Sequence, residues 1–416
     1  MIQFGTHFLK KVFWFIFLGC MNYTLSQAQT QASFKTLLEK GKAEFKKPHQ
    51  DQNYAQAVIY LTKALQLQPQ HAEARYFLGY AYDRFNSKDG ESMNQGLLST
   101  TQKASSQFEQ VIKLTKGNYQ GERVVLGPQS KISAIWGSMA MAYQFQNKKD
   151  SVIWALQEGK RRGGFGKFLR AFNQLLLDNC SKNAVLLVAG DNIFFPLMYL
   201  QKVEKYRTDV TVMDVGLLAA SWYPKMLQEQ QAIDFGLPAK TRDQLQYCRW
   251  QDSTITIGQF SWVVKPSYGR RYLLRHNRLL LSFLQTYKFK QDVFMSNGMS
   301  RADQLSLRDK LVSYGGLKKI DHRQQGRLPV DQLLKNTEQF FKLLNLAKPY
   351  NQDEQFFVTN IGLQPLFLCQ EYLRINDKKS AKRFLDLHQK YLPISKYPFK
   401  DKEIKAYFKL LKKQLE

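Results

Sequence analysis

The pattern of apolar and polar positions is clearest between residues 184 and 215. The run from Ala184 to Ala189 is short, continuous and rich in Val and Leu, as is typical of a strand buried on both faces. Gly190-Asp191-Asn192 ends this run, and Pro196 stands where the first turn of an amphipathic helix tolerates proline. A β-branched run from Asp209 to Val215 follows. This order predicts a β-α-β unit with two parallel strands.

The chain after this unit mixes short strand patterns with longer helical ones. Thr254 to Val264 alternates around Gly258-Gln259, which predicts a β-hairpin. The other predicted elements are a helix over Leu217–Gln231 interrupted at Pro224, a basic amphipathic helix over Arg271–Tyr287, a strand over Asp292–Ser296, and helices over Val330–Leu346, Asp353–Ile375, Lys379–Tyr391 and Lys402–Leu415.

Residues 34 to 115 have small and apolar side chains at the spacing of helical hairpin repeats. Small side chains let two helices approach closely, and a proline ends the second helix of a hairpin. The residues expected to pack in this way are Ala57, Ala64, Pro69, Leu78, Gly79 and Tyr82. They resemble the tetratricopeptide repeat family, whose stacked hairpins form a surface that binds a protein partner. Packing against the α/β domain is the alternative role for this surface.

Three weaker helical patterns, over 102–114, 130–146 and 151–161, extend this region. The glycine-rich stretch from Gly159 to Phe168 is not a phosphate-binding loop, because Arg161 and Phe168 replace the glycine and the Ser or Thr that such a loop needs. We predict a linker there. The expected order is a signal peptide (1–28), a tetratricopeptide-like solenoid (29–162), a linker or helix (163–178), a Rossmann-like α/β domain (179–325) and a helical C-terminal region (326–416).

The first residues have the pattern of an export signal. Lys10 and Lys11 precede an apolar stretch, Val12 to Met21, that is too short to span a bilayer. Small residues before Ala28 predict cleavage after that residue. Cys20 offers an alternative, because Phe17 to Cys20 resembles a lipoprotein box and would leave Cys20 acylated. We expect an envelope or periplasmic location, and buried free thiols at Cys180, Cys248 and Cys369.

The charge of the chain changes the range of expected partners. Its 61 Lys and Arg against 34 Asp and Glu give a net charge of +27, which favours anionic surfaces such as acidic glycans or phospholipid headgroups. The sequence has no arginine-rich arm, zinc-knuckle spacing or aromatic RNA-binding strand, so nucleic acid is a disfavoured partner. No metal-ligand spacing is present among the histidines, and no cofactor is predicted.

The segment around the β-α-β unit resembles a known family. Gly190-Asp191-Asn192, Phe195-Pro196-Leu197, Arg207-Thr208-Asp209-Val210 and Trp222-Tyr223 are similar to a run in bacterial envelope proteins described as protein O-mannosyltransferase-like. The similarity extends through Arg275-His276-Asn277 and Gly315-Gly316-Leu317 towards Tyr397 and Pro398, over roughly residues 183 to 398. In that family the run lies in the soluble part that follows a multi-spanning membrane region.

Two departures from the family limit what the resemblance implies. Ile193 and Phe194 stand where the family has an acidic residue and a threonine, so Asp191 is the remaining carboxylate of the loop. This chain also has no counterpart of the membrane region that would carry out sugar transfer. The resemblance therefore implies an accessory or degenerate relative rather than a complete transferase.

Polar side chains end three of the predicted strands and form the candidate ligand site. They are Asp191, Asn192, Asp214, Ser296 and Asn297. Ligands of open α/β sheets bind beyond the carboxyl ends of the strands, and a helix begins there with unpaired N–H groups. A sugar hydroxyl or a phosphate would suit these groups. The alternative is that Asp191 or Asn192 caps the helix and that Asp214 is a buried turn residue.

These patterns predict two functions of different classes. The first is a non-enzymatic envelope adaptor that binds a protein partner through its helical repeats. The alternative is an accessory subunit of a membrane glycan-transfer system that binds a sugar or polyprenyl-phosphate ligand. The sequence has no serine in a nucleophile turn, so a hydrolase is not supported and an enzyme is the less favoured reading.

Overall fold

The first helices of the chain pack at positions where a side chain is small or absent. The computed structural model describes residues 30–346, 351–393 and 402–416. Its first helices are α1 (30–43), α2 (Tyr54–Leu67), α3 (Ala72–Ser87) and α4 (Leu98–Leu114). A β-carbon at Gly41 would lie 2.5 Å from Leu61 Cγ, and one at Gly79 would lie 2.9 Å from the ring of Phe108. Glycine at these two positions is therefore a condition for the observed helix spacing.

The other residues expected in hairpin packing lie on or between α2 and α3. Ala57 and Ala64 are fully buried, and Leu78 is buried. Tyr82 is half-buried, with Lys103 Nζ 6.0 Å from its ring centroid. Pro69 follows α2, and its carbonyl accepts hydrogen bonds from the Arg75 guanidinium. These residues are packed between neighbouring helices or at their ends, and the resemblance to tetratricopeptide repeats stays a prediction.

Three further helices, α5 (Pro128–Phe145), α6 (Lys149–Arg161) and α7 (Lys167–Asp178), follow a loop. The predicted linker over 159–168 is therefore partly helical. Its first residue, Gly159, lies inside α6, where a β-carbon would lie 2.7 Å from Trp136 Cβ. Glycine thus serves helix packing there, which a glycine-rich pattern alone does not distinguish from a linker.

The chain divides into two compact units. One comprises the described residues up to Asn86 together with Leu97–Pro128, and the other comprises Ser87–Gly96 and the described residues of Gln129–Glu416. The helices over 129–161 fall in the second unit, whereas the predicted repeat region ends at 162. The predicted signal peptide (1–28), Cys20, Tyr397 and Pro398 lie outside the described residues.

A five-stranded mixed sheet forms the centre of the second unit. Its strands are β1 (Val185–Val188), β2 (Thr211–Asp214), β7 (Val293–Ser296), β8 (Leu311–Ser313) and β9 (Leu317–Ile320), in the order β2-β1-β7-β9-β8. β2 and β7 pair parallel with β1, which confirms the predicted parallel pair of the β-α-β unit. β9 and β8 are antiparallel additions. The fold is accordingly α+β, and all four residues of β1 are buried.

The helix between β1 and β2, α8 (Asp191–Lys202), begins five residues before its proline. Pro196 therefore lies inside the helix, and the prediction that it occupies the first turn is wrong. Proline has no N–H to donate to the carbonyl four residues earlier, that of Asn192. Asn173 Nδ2 donates to that carbonyl instead, at 3.0 Å. A side chain of α7 thus replaces the helical hydrogen bond that Pro196 removes.

The remaining elements follow the predicted order with shifted boundaries. The hairpin of β4 (Ser253–Ile257) and β5 (Phe260–Val264) turns at Gly258-Gln259 as predicted. The helix predicted from Leu217 is a 3-10 turn (Gly216–Ala219) followed by α9 (Trp222–Gln231), and the helix predicted from Arg271 begins four residues later. The other elements are α10 (Ala239–Gln244), β3 (Cys248–Arg249), β6 (Tyr272–Leu273), α11 (Arg275–Tyr287), α12 (Val330–Lys342), α13 (Gln352–Arg374), α14 (Lys378–Tyr391) and α15 (Lys402–Leu415).

Two sequence expectations concern the chain as a whole. Within residues 30–346, 351–393 and 402–416, no helix has the length and apolar character needed to cross a membrane. Cys180 and Cys369 are buried thiols, and burial raises their pKa values to about 12 and about 11. Cys248 is only half-buried, because β3 is a two-residue strand at the surface, so the prediction of burial is wrong for this thiol.

Candidate functional site

The five predicted site residues lie at one edge of the sheet. β1 is flanked by β2 and β7, and all three strands run in the same direction. Their carboxyl ends therefore meet at one edge, where Asp191 and Asn192 follow β1, Asp214 ends β2, and Ser296 ends β7 before Asn297. β1 thus has a parallel neighbour on each side, and ligands of open α/β sheets bind beyond the carboxyl ends of such strands.

The turn from β1 into α8 depends on Gly190. This residue has φ 100° and ψ 144°, a backbone conformation that side-chain-bearing residues rarely adopt. It also occupies the N-cap position of α8, so no side chain caps the helix from there. Asp191 and Asn192 are the first two residues of α8. Their main-chain N–H groups lie in the first turn, where a helix has no internal acceptors.

Asp214 connects the loops that follow β1 and β2. Its Oδ2 accepts a hydrogen bond from Gly190 N at 3.3 Å, and its Oδ1 accepts one from Leu217 N at 2.9 Å. Its own N–H donates to the Tyr223 hydroxyl at 3.1 Å. Asp214 is therefore a buried, hydrogen-bonded residue at the end of β2, and its carboxylate joins the turn after β1 to the turn after β2.

The charge state of Asp214 also depends on its surroundings. Burial and, to a smaller extent, the nearby negative charge of Asp191 raise the pKa of this carboxyl to about 7, against the lowering effect of the backbone hydrogen bonds. Asp191 and Asp214 thus lie close enough to repel each other. A buried carboxyl with a raised pKa beside a second carboxylate is a typical property of a functional site.

Asn192 has a buried side-chain oxygen without a hydrogen-bond partner. Its main-chain carbonyl is bound by Asn173, but its Oδ1 accepts no hydrogen bond from any residue that the structure describes. Asn173 Oδ1 is in the same situation. A buried polar atom without a partner costs free energy of about 1–3 kcal/mol, so its retention needs an explanation such as a ligand or an ordered water.

Ser296 and Asn297 lie on the other side of β1. Ser296 is only 1% exposed, and its Oγ has no hydrogen-bond partner in the described ranges. Asn297 is exposed, and its Nδ2 donates to Gly315 O at 3.3 Å. Both residues line a small cavity of about 40 Å³ that also includes Ile193 of α8.

The walls of this cavity are mainly aromatic and come from distant parts of the chain. They include Phe172 of α7, Phe340 of α12, and Phe356 and Phe357 of α13. Phe356 is 60% exposed. These residues cannot be recognised as cavity walls from the sequence, because each occupies an ordinary apolar position of a helix.

The structure therefore brings the predicted residues together in two groups. Asp191 and Asp214 interact on the β2 side of β1, and Ser296 and Asn297 share the cavity on the β7 side. The repeat-packing residues belong to the other compact unit. No group of His, Cys, Asp and Glu side chains with the geometry of a metal site occurs among the described residues. The arrangement offers hydroxyl, amide and carboxylate groups for hydrogen bonding.

Comparison with known proteins finds that part of the chain is similar to a described domain family. Residues 169–262 match TMEM260-associated domain 2, and TMEM260 represents a protein O-mannosyltransferase-like family. The matched region contains Asp191, Asn192 and Asp214, but not Ser296 or Asn297. No curated protein and no solved structure is significantly similar to the chain.

Proposed function

We propose that this chain is an accessory subunit of a membrane glycan-transfer system and that the carboxyl edge of β1, β2 and β7 binds its ligand. The observation that carries this proposal is the pair of buried, unpartnered atoms Asn192 Oδ1 and Ser296 Oγ at that edge. Each can form a hydrogen bond that no described residue supplies. A bound polar ligand would remove the free-energy cost of both.

The chemistry of the edge suits a sugar or a polyprenyl phosphate. A sugar hydroxyl both donates and accepts, so it can donate to Asn192 Oδ1 or to the Asp191 carboxylate and can pair with the Ser296 hydroxyl. The N–H groups that begin α8 suit a phosphate oxygen. The aromatic walls of the adjoining cavity suit the apolar part of a lipid-linked ligand.

The similarity at residues 169–262 supports the same class of function. The matched domain is associated with a protein O-mannosyltransferase-like family, and it includes the turn around Gly190 and the end of β2. We also propose a Rossmann-like relationship for the β1-α8-β2 unit and an envelope location for the protein. The parallel arrangement of β1 and β2 supports the first of these proposals. The export-type pattern of the first residues supports the second.

Thermal unfolding with two soluble probes tests the ligand proposal. Methyl α-mannoside stands for the sugar, and farnesyl phosphate stands for the polyprenyl phosphate. We expect at least one probe to raise the unfolding temperature of the wild-type protein saturably, and Asp191→Ala to abolish this rise. Ligand binding to the folded state alone produces such a shift.

An exposed carboxylate of α9 provides the matched control. Glu229 has no hydrogen-bond or ion-pair partner among the described residues, so Glu229→Ala removes a charge of the same sign outside the edge. This variant should retain the full shift. The proposal fails if neither probe stabilises the wild-type protein, or if Asp191→Ala responds as the wild type does.

A second proposal is that the first helices bind a protein partner as tetratricopeptide-like hairpins. It is supported by large apolar side chains at the surface of this unit, since Ile59, Phe85 and Leu97 are 47%, 54% and 60% exposed. Exposed apolar groups of this kind are found at protein interaction sites. An adaptor of the cell envelope would use such a surface.

Co-purification from the native envelope in mild detergent tests the adaptor. The partner should be lost from a Phe85→Ser and Leu97→Ser variant and retained by Asp191→Ala. Val263→Ser is the control, because Val263 is 42% exposed on β5 of the other unit. Loss of the same partner from Val263→Ser would contradict a specific role of the helices.

A further inference from the structure

A second and larger cavity lies along β2, which is an end strand of the sheet. Its volume is about 240 Å³. Thr211 and Val215 donate their N–H groups to β1, so the main-chain groups of Val212 point away from β1 towards the outer edge. Val212 is one of the residues that line the cavity. The edge of β2 is thus one wall of this cavity.

Lys202, the last residue of α8, also lines this cavity. Burial lowers the pKa of its ammonium group, and the positive charges of Lys205 and Lys149 lower it further. Within the described ranges, Lys202 Nζ forms no ion pair and no hydrogen bond.

This combination is unusual for a lysine that only stabilises the fold. A partly desolvated cation is normally paired with a carboxylate, because burial of an unpaired charge is costly. The carbonyl groups at the end of α8 favour a nearby cation. An exposed lysine such as Lys205 can provide that positive charge, so the helix end does not explain why Lys202 is buried. The missing anion is therefore the feature that requires an explanation.

We propose that the cavity along β2 binds a phosphate group and that Lys202 Nζ is its charged contact. Lysine binds phosphate as a point charge, and Lys149 and Lys205 add positive potential nearby. Thr208, Thr211 and Gln231 line the same cavity and can donate hydrogen bonds to phosphate oxygens. This site does not rest on the proposed glycan function, and its residues differ from those of the carboxyl edge.

The size and the other walls of the cavity restrict the molecule that carries the phosphate. A volume of 240 Å³ lies below the range of about 300–1,000 Å³ found for sites that hold drug-sized ligands. Met141, Met198 and Met226 supply an adaptable apolar floor. The cavity therefore suits free phosphate or the phosphate ester of one small ring or short chain.

Calorimetric titration of the full chain with inorganic phosphate and with glucose 6-phosphate, at fixed ionic strength, tests this site. We expect saturable binding to the wild-type protein and at least a tenfold weaker affinity for Lys202→Gln. The control is Lys205→Gln, which removes the same charge from an exposed position of the same segment. Its affinity should change less than twofold.

The two probes also distinguish the sources of the phosphate. Tighter binding of glucose 6-phosphate would identify a small phosphate ester as the ligand, and tighter binding of inorganic phosphate would identify the free anion. Lys202→Gln should unfold at the same or a higher temperature than the wild type in the absence of phosphate, because it removes an unpaired charge. Failure of both probes to bind the wild type, or an equal loss in Lys202→Gln and Lys205→Gln, would overturn the proposal.

Discussion

Two lysines in different regions of the molecule show opposite ways of placing a cation out of water. Lys42 of α1 is 6% exposed, and its Nζ lies 3.3 Å from Glu39, 2.7 Å from Glu73 and 2.5 Å from Glu122. These carboxylates raise the pKa of Lys42 despite its burial. Lys202 is half-buried and forms no ion pair within the described residues, and burial together with the positive charges of Lys205 and Lys149 lowers its pKa.

Lys42 uses its charge to hold helices together, whereas we infer that the charge of Lys202 is available to another molecule. In the helical unit, the ion pairs of Lys42 join α1 to α3 and to the loop before α5. At the sheet of the other unit, Lys202, Asn192 Oδ1 and Ser296 Oγ have no such partners within the described ranges. Several polar groups next to β1 and its neighbours thus lack the partners that Lys42 has, and ligand binding would supply them.

The largest expected effect is the pH dependence of stability that Asp214, a buried carboxyl without a cation partner among the described residues, gives to the unit around the sheet. A folded pKa of about 7 against about 3.9 in the unfolded chain corresponds to roughly 4 kcal/mol. The folded protein keeps a proton between these pH values that the unfolded chain releases. Its free energy of unfolding should therefore fall as pH rises from about 4 to about 7.

Denaturant unfolding of the wild type and Asp214→Asn at several pH values measures this effect. The amide cannot ionise, so the variant should lose less stability over the same range, although it also loses one acceptor for a backbone N–H. Parallel pH profiles of the two proteins would show that Asp214 does not hold the proton. Asp191 and Tyr223 are the titratable groups beside it.

Removal of the compensated cation should have the next largest effect. Lys42→Met leaves three carboxylates facing one another without their cation, and we expect a loss of about 2–3 kcal/mol, at the low end for buried pairs because Glu39 and Glu122 are partly exposed. The loss of helical circular dichroism in urea measures it. Lys46→Met is the control, because Lys46 is 64% exposed and its ion pair with Glu122 lies at the surface. Equal losses in both variants would contradict the assignment.

The smallest expected effect on stability comes from a comparison of two buried serines, one with a hydrogen-bond partner and one without any among the described residues. Ser133 Oγ accepts a hydrogen bond from Phe165 N at 2.6 Å, so Ser133→Ala should cost about 1–3 kcal/mol by leaving that N–H unpaired. Ser296→Ala removes an atom that has no partner in the described part of the chain, and stability should stay constant or rise. Thermal unfolding without ligand measures both. A larger loss in Ser296→Ala would show that its hydroxyl is bonded in the folded protein.

The β1-α8-β2 unit and its sheet edge could be predicted because their signals are local. A continuous apolar run, a glycine and a β-branched run specify two buried parallel strands without reference to the rest of the chain. The strand ends then place Asp191, Asp214 and Ser296 at one edge, as the parallel pairing shows. The hairpin at Gly258 was predictable for the same reason.

Other features depend on tertiary contacts that no local pattern contains. β8 and β9 are short and include Lys318 and Lys319, so their sequence does not resemble a strand, yet β9 pairs with β7. The position of Pro196 inside α8 requires Asn173 of another helix. Lys202 resembles any basic residue at a helix end, and only the surrounding cavity distinguishes it.

The contact between Asn173 and the carbonyl released by Pro196 has a consequence for sequence variation. Substitutions at residue 173 of α7 and at residue 196 of α8 affect the same hydrogen bond, the one that the carbonyl of Asn192 accepts. Relatives that replace Pro196 with a residue bearing an N–H regain the helical bond and can lose the amide at 173, whereas relatives that keep the proline should keep a donor there. The two positions should therefore change together during divergence.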